Sequence, residues 1–123
     1  MKYTALFLFL AFISSCTKDK TLPPSPPKIF ICDSTVTYTI VVKNIMDSKC
    51  ALSGCHDATT PGGGFNLSGY HDCKDLAITS ILVCTITHDT CGYKAMPYPI
   101  GSPKLSDSLI SIISCWVTNG APL

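Results

Sequence analysis

The chain contains no arginine and no glutamate. Its positive charge comes from nine lysines and its negative charge from eight aspartates, for a formal net charge of +1. A balanced surface without guanidinium groups lacks the basic footprint of a nucleic-acid binder, in which phosphate neutralisation dominates affinity. Other features are missing too. There is no glycine-rich phosphate loop, no nucleophile–base signature and no internal repeat, so the sequence offers nothing that marks a hydrolase or a nucleotide enzyme. The longest apolar run, Tyr3 to Ile13, is too short to span a bilayer as a free-standing helix.

That run has another reading. Lys2 precedes it and the small pair Ser14-Ser15 follows, which is the layout of an export signal removed after translocation. Ile13-Ser14-Ser15-Cys16 resembles the lipobox of bacterial lipoproteins. The resemblance implies cleavage before Cys16, acylation of Cys16 and anchoring by acyl chains, each buried CH2 contributing about 0.8 kcal/mol. The expected organisation is therefore a signal peptide over residues 1–15, a lipid-anchored tether over 16–34 and a folded domain over 35–123. Pro23, Pro24, Pro26 and Pro27 give the tether its character, since closely spaced prolines favour extended polyproline II and exclude a helix. The expected location is outside the cytoplasm, on a bacterial membrane facing the periplasm or the cell surface.

The folded part reads as all-α, with about three short helices and a long irregular loop. Thr35 to Thr39 is strand-like by propensity alone. Tyr38, Val41, Val42, Ile45 and Met46, however, fall on one face of a helix that runs into Cys50, with Thr37 or Thr39 as its cap. A second helix is expected over roughly 69–80, capped by Ser68, with Tyr70, Cys73, Ala77 and Ile81 on one face. From Leu82 to Pro103 the turn residues and prolines predict an irregular loop, and loops of that length in compact domains are usually functional. The last helix is the clearest. Ser106 caps it, Asp107 suits its dipole, Leu109, Ile112, Ile113, Trp116 and Val117 form an apolar stripe, and Asn119-Gly120 ends it. Such a core is thin, and domains of this size often need staples or a bound metal.

The eight cysteines point to an oxidising compartment or a cofactor. Two of them stand in "KCALSGCHD", where His56 directly follows Cys55. Cysteine followed by histidine is the end of a covalent haem attachment site, in which two thiols add to the vinyl groups and the imidazole ligates iron. The usual spacing leaves two residues between the thiols and this one leaves four. On a helix, Cys50 and Cys55 would lie an effective angle of about 140° apart. The extra residues must therefore loop out, and Ser53-Gly54 suits a sharp turn. Met96, 40 residues after His56 and outside any apolar stripe, is a candidate second axial ligand. His88, between Cys84 and Cys91, is its rival, whereas His71 reads as solvated and Met46 as core. The competing readings are a Cys50–Cys55 disulfide with an incidental His56, or a zinc site using the same three residues.

Taken in order, VVKNIMDSKC, CHD, GGGFNLSGY, AMP and KLSDSLISIISCWVTNGAP resemble the small c-type cytochrome domains of bacterial lipoproteins, over nearly all of residues 35–123. The resemblance implies a cytochrome c-like fold around one covalent haem c. It implies thioethers at Cys50 and Cys55, iron ligands at His56 and Met96, and electron exchange with a redox protein or a larger oxidoreductase. The protein would be an electron carrier and not an enzyme, although a five-coordinate haem, with Met96 unbound, would permit peroxidase-like chemistry. The alternative is a disulfide-stapled structural or binding lipoprotein without haem. A five-coordinate haem sensor is a third possibility. Cys32, Cys73, Cys84, Cys91 and Cys115 remain for disulfides. Their pairing is open, with Cys84–Cys91 the local candidate.

Overall fold

The computed structural model describes residues 32–99 and 101–123. The expected signal segment, Cys16 and most of the expected tether lie outside the described residues. The described chain is helical, with no strand. It comprises a π-helical turn (Tyr38–Val42) and four α-helices, α1 (Lys43–Lys49), α2 (Tyr70–Ile78), α3 (Ile81–Thr87) and α4 (Asp107–Thr118). No described helix is long and apolar enough to cross a membrane.

Thr37 caps the first helical stretch, its hydroxyl accepting from the Ile40 amide. The residues from Tyr38 onward are therefore helical and not extended, despite their β-branched content. The reason is burial. Tyr38, Val42, Ile45 and Met46 are all buried, and only a helical path puts them on one face. α4 behaves as its sequence predicts, with the Ser106 hydroxyl accepting from Leu109 N and Gly120 in the left-handed region at the far end. Ile113 and Trp116 are fully enclosed at its centre.

Two expectations need correction. Among the described residues there are four α-helices and not three, because Ile81–Thr87 is helical. Leu82, Thr85 and Ile86 form its buried face at i, i+3 and i+4, and the irregular segment begins only at His88. The break from α2 is made by Ser80, which adopts a left-handed conformation at φ 61° and redirects the chain. The second correction concerns the start of α2. Gly69 occupies the cap position and no side chain, Ser68 included, caps that helix.

α2 packs on α3, α3 on α4, and α4 on the π-helical turn. The last residues close this arrangement. Tyr38 N donates to Pro122 O and Thr39 N to Leu123 O. The Trp116 indole donates to Pro122 O at 2.8 Å and the Tyr70 hydroxyl to Ala121 O at 2.9 Å. A Cys32–Cys115 disulfide staples the beginning of the domain to α4, and Cys84–Cys91 closes a short loop beyond α3. The local pairing therefore stands, Cys115 anchors a bridge, and Cys73 is left as a buried thiol.

Candidate cofactor cavity

Tracing the chain from α1 shows how the site is assembled. The helix ends as the amides of Cys50 and Ala51 both donate to Met46 O. The chain then turns through Leu52–Cys55, with Cys55 N on Leu52 O at 2.9 Å and Gly54 at φ 79°, a conformation that favours glycine. The four intervening residues thus loop outward, and both Cys50 and Cys55 still line the same cavity. Both are free thiols, so the disulfide alternative for this pair is not what the structure contains.

The next stretch is tied down by polar contacts. The Asp57 carboxylate accepts from the amide and hydroxyl of Thr60 and from the Thr59 hydroxyl. The Thr60 bonds, foremost, hold its pKa below the ordinary carboxylate value. Thr60 in turn accepts from Gly54 N at 2.8 Å, which links the two ends of the loop. Gly62 lies against Cys55, its amide donating to Cys55 O at 2.7 Å. A Cβ at Gly62 would stand 2.5 Å from that oxygen, so no larger residue fits without moving the backbone. This Asp–Thr–Gly support was not singled out from sequence. Its signal is an Asp followed at short range by Thr, the pattern of a side-chain-closed turn.

His56 is held at three points. Its carbonyl accepts from Leu67 N at 2.8 Å, it bridges to Pro61, and its ring Nδ1 lies 3.0 Å from Phe65 O. A carbonyl oxygen only accepts, so Nδ1 carries a proton, and in the neutral imidazole Nε2 then holds the lone pair. That is how metal-ligating imidazoles are commonly oriented.

Opposite elements complete the cavity, which measures about 640 Å³. Phe65, Leu67, Leu76, Ile81, Leu82 and Ile86 supply apolar walls. Met96 lines it as well, carried by the segment after α3. Tyr93 and Tyr98, about half exposed, and the lysines Lys49 and Lys94 stand at its border. Four of the residues singled out from sequence, Cys50, Cys55, His56 and Met96, are therefore brought to one space. His88 and His71 are not among its lining residues.

Burial, and then the nearby Cys55, push the Cys50 thiol up to about 11, so it is protonated at neutral pH. Among the described residues no three His, Cys or Asp side chains are grouped so as to hold a metal ion. The donor set fits a haem. It offers two free thiols, one oriented imidazole and one thioether, on an apolar cavity of the size that holds cofactors. No family profile, curated protein or solved structure matches this chain.

Proposed function

We propose that this chain is a membrane-tethered electron carrier that binds one haem c covalently, in a cytochrome c-like domain. The observation that carries this reading is the convergence of Cys50, Cys55, His56 and Met96 on one apolar cavity from segments far apart in sequence. Cys50 and Cys55 would hold the haem through thioethers, and His56 and Met96 would ligate its iron. When bound, the haem supplies one-electron exchange between ferric and ferrous iron.

The chain's own residues provide the rest. Phe65 O keeps the proton on His56 Nδ1 and so leaves Nε2 as the donor. The Gly62 amide fixes the Cys55 carbonyl, which holds the Cys55-His56 pair in register with its loop. The apolar walls would keep water from most of the haem face. Tyr93 and Tyr98 at the border leave an edge from which a redox protein or larger oxidoreductase can approach. Acylation at Cys16 and the proline-rich tether would confine that encounter to the membrane surface.

The test is expression of the full chain with a cytochrome c maturation system, followed by intact mass and a reduced-minus-oxidised spectrum. One covalent haem on a membrane-associated chain is the expected result. A chain that emerges without covalent haem, with Cys50 joined to Cys55, would instead establish a disulfide-stapled binding or structural lipoprotein. A five-coordinate ferrous spectrum would point to ligand sensing.

A further inference from the structure

His88 does not line the cavity, yet its ring is committed to Met96. His88 Nε2 lies 2.9 Å from Met96 O. The Met96 amide donates to Thr85 O, also at 2.9 Å. Both peptide groups flanking the Met96 Cα are therefore fixed to the end of α3, and α3 itself forms a wall of the cavity through Leu82 and Ile86. His88 is held in its turn. It adopts φ 64° at the end of α3, its amide bonds back into that helix, and it sits inside the loop closed by Cys84–Cys91. Since the carbonyl of Met96 only accepts, Nε2 must carry the proton.

We propose that His88 is a positioning residue for Met96, clasping the methionine's backbone so that its thioether stays on the cavity. The proposal rests on the reading of Met96 as the distal iron ligand, and it replaces His88 as rival ligand with His88 as the ligand's support. Without the clasp, Met96 is held on one side only, at Thr85 O. The segment then populates arrangements in which sulfur leaves the iron, and an external ligand competes more easily. The loss of one such hydrogen bond corresponds to about a tenfold change in that competition.

The experiment compares the holoprotein with His88→Gly and His88→Gln. Glycine accepts the left-handed backbone at that position, so the first variant removes the donor without adding strain. Glutamine restores an N–H donor of similar reach. Covalent haem should be retained in both. In H88G the sulfur-to-iron charge-transfer band should weaken, and imidazole should bind the ferric protein about tenfold more tightly. H88Q should recover part of both properties. Opening the Cys84–Cys91 loop with the double serine variant should shift them in the same direction.

In the haem-free full chain, 15N shifts of His88 should show the Nε2-protonated tautomer, a readout that needs no cofactor. The proposal is overturned if H88G keeps wild-type band intensity and imidazole affinity, or if His88 shows the Nδ1-protonated tautomer. It is overturned too if replacing Met96 leaves a six-coordinate ferric state that replacing His88 abolishes. Absence of covalent haem on the wild type would instead overturn the electron-carrier reading, and the two failures are thereby distinguishable.

Discussion

The imidazole of His56 and the backbone of Phe65 form one unit, with Nδ1 3.0 Å from the carbonyl oxygen. What holds Phe65 there is the Gly62–Gly64 turn, since Phe65 N donates back to Gly62 O. The orientation of the ring therefore depends on a glycine that also touches Cys55.

Replacement of Gly62 by alanine should be costly for that reason. Its Cβ would meet Cys55 O at 2.5 Å, and that atom is backbone. The expected loss of stability is on the order of 1–3 kcal/mol by denaturant titration, the usual cost of forcing an extra group into a packed site. Covalent haem incorporation, read by intact mass, should fall as well. Alanine at Gly54 should cost less, because nothing lies within 4 Å of its Cβ position and only the φ of 79° opposes it.

Met96→Ala tests the thioether directly. The sulfur–iron band should disappear and the midpoint potential should drop, because methionine paired with histidine raises it. Spectra and a redox titration check both. A variant that matched the wild type in both would remove Met96 from the ligand set.

Trp116→Ala should destabilise the domain by roughly 3–5 kcal/mol, as expected for a fully enclosed tryptophan. Trp116→Phe should be milder, at roughly 1–2 kcal/mol, because it loses mainly the indole bond to Pro122 O. Equilibrium unfolding in urea separates the two.

The two disulfides should differ in value. Cys32–Cys115 spans a sequence separation of 83 and Cys84–Cys91 one of 7. On the chain-entropy scale the first closure is worth roughly 4–5 kcal/mol and the second roughly 2–3. Paired serine substitutions should reproduce that order in unfolding midpoints.

Cys73 gives a pH prediction. Burial, foremost, pushes its thiol up to about 11 from an unfolded value near 9.0. The folded state then binds more protons than the unfolded state between those values, so stability is present in full below pH 9 and declines as pH rises toward 11. Unfolding midpoints at successive pH values should show this decline in the haem-free chain. Cys73→Ala should make it shallower, the free Cys50 thiol, also pushed up to about 11, supplying the remainder.

Legibility followed the strength of each local signal. The apolar stripes running from the π-helical turn into α1, and along α4, were readable because burial there is one-sided and the caps at Thr37 and Ser106 are standard. α3 was hidden because its seven residues are rich in β-branched types and are flanked by turn chemistry. Its start is set by the left-handed Ser80, a backbone choice that serine does not announce. Cys50, Cys55, His56 and Met96 could be named from residue chemistry, and the structure places them on one cavity. The partner of His88 could not be read in advance, because its bond is to the backbone of Met96, and backbone acceptors leave no mark in a sequence. The same holds for Phe65, whose contribution at His56 is its carbonyl and not its ring.

The bonds from Tyr38 and Thr39 to Pro122 and Leu123 bear on the order of assembly. A polypeptide delivered N-terminus first presents Tyr38 long before its acceptors at the other end have emerged. Neither the closing bonds nor the Cys32–Cys115 bridge can form in that interval, so the early helices stay unlocked while the chain emerges. During this delay Cys50 and Cys55 stand on an open chain. For the haem attachment proposed above, a loading apparatus would meet the two thiols there before the walls close, and the pairing of Tyr38 and Thr39 with Pro122 and Leu123 ends that access.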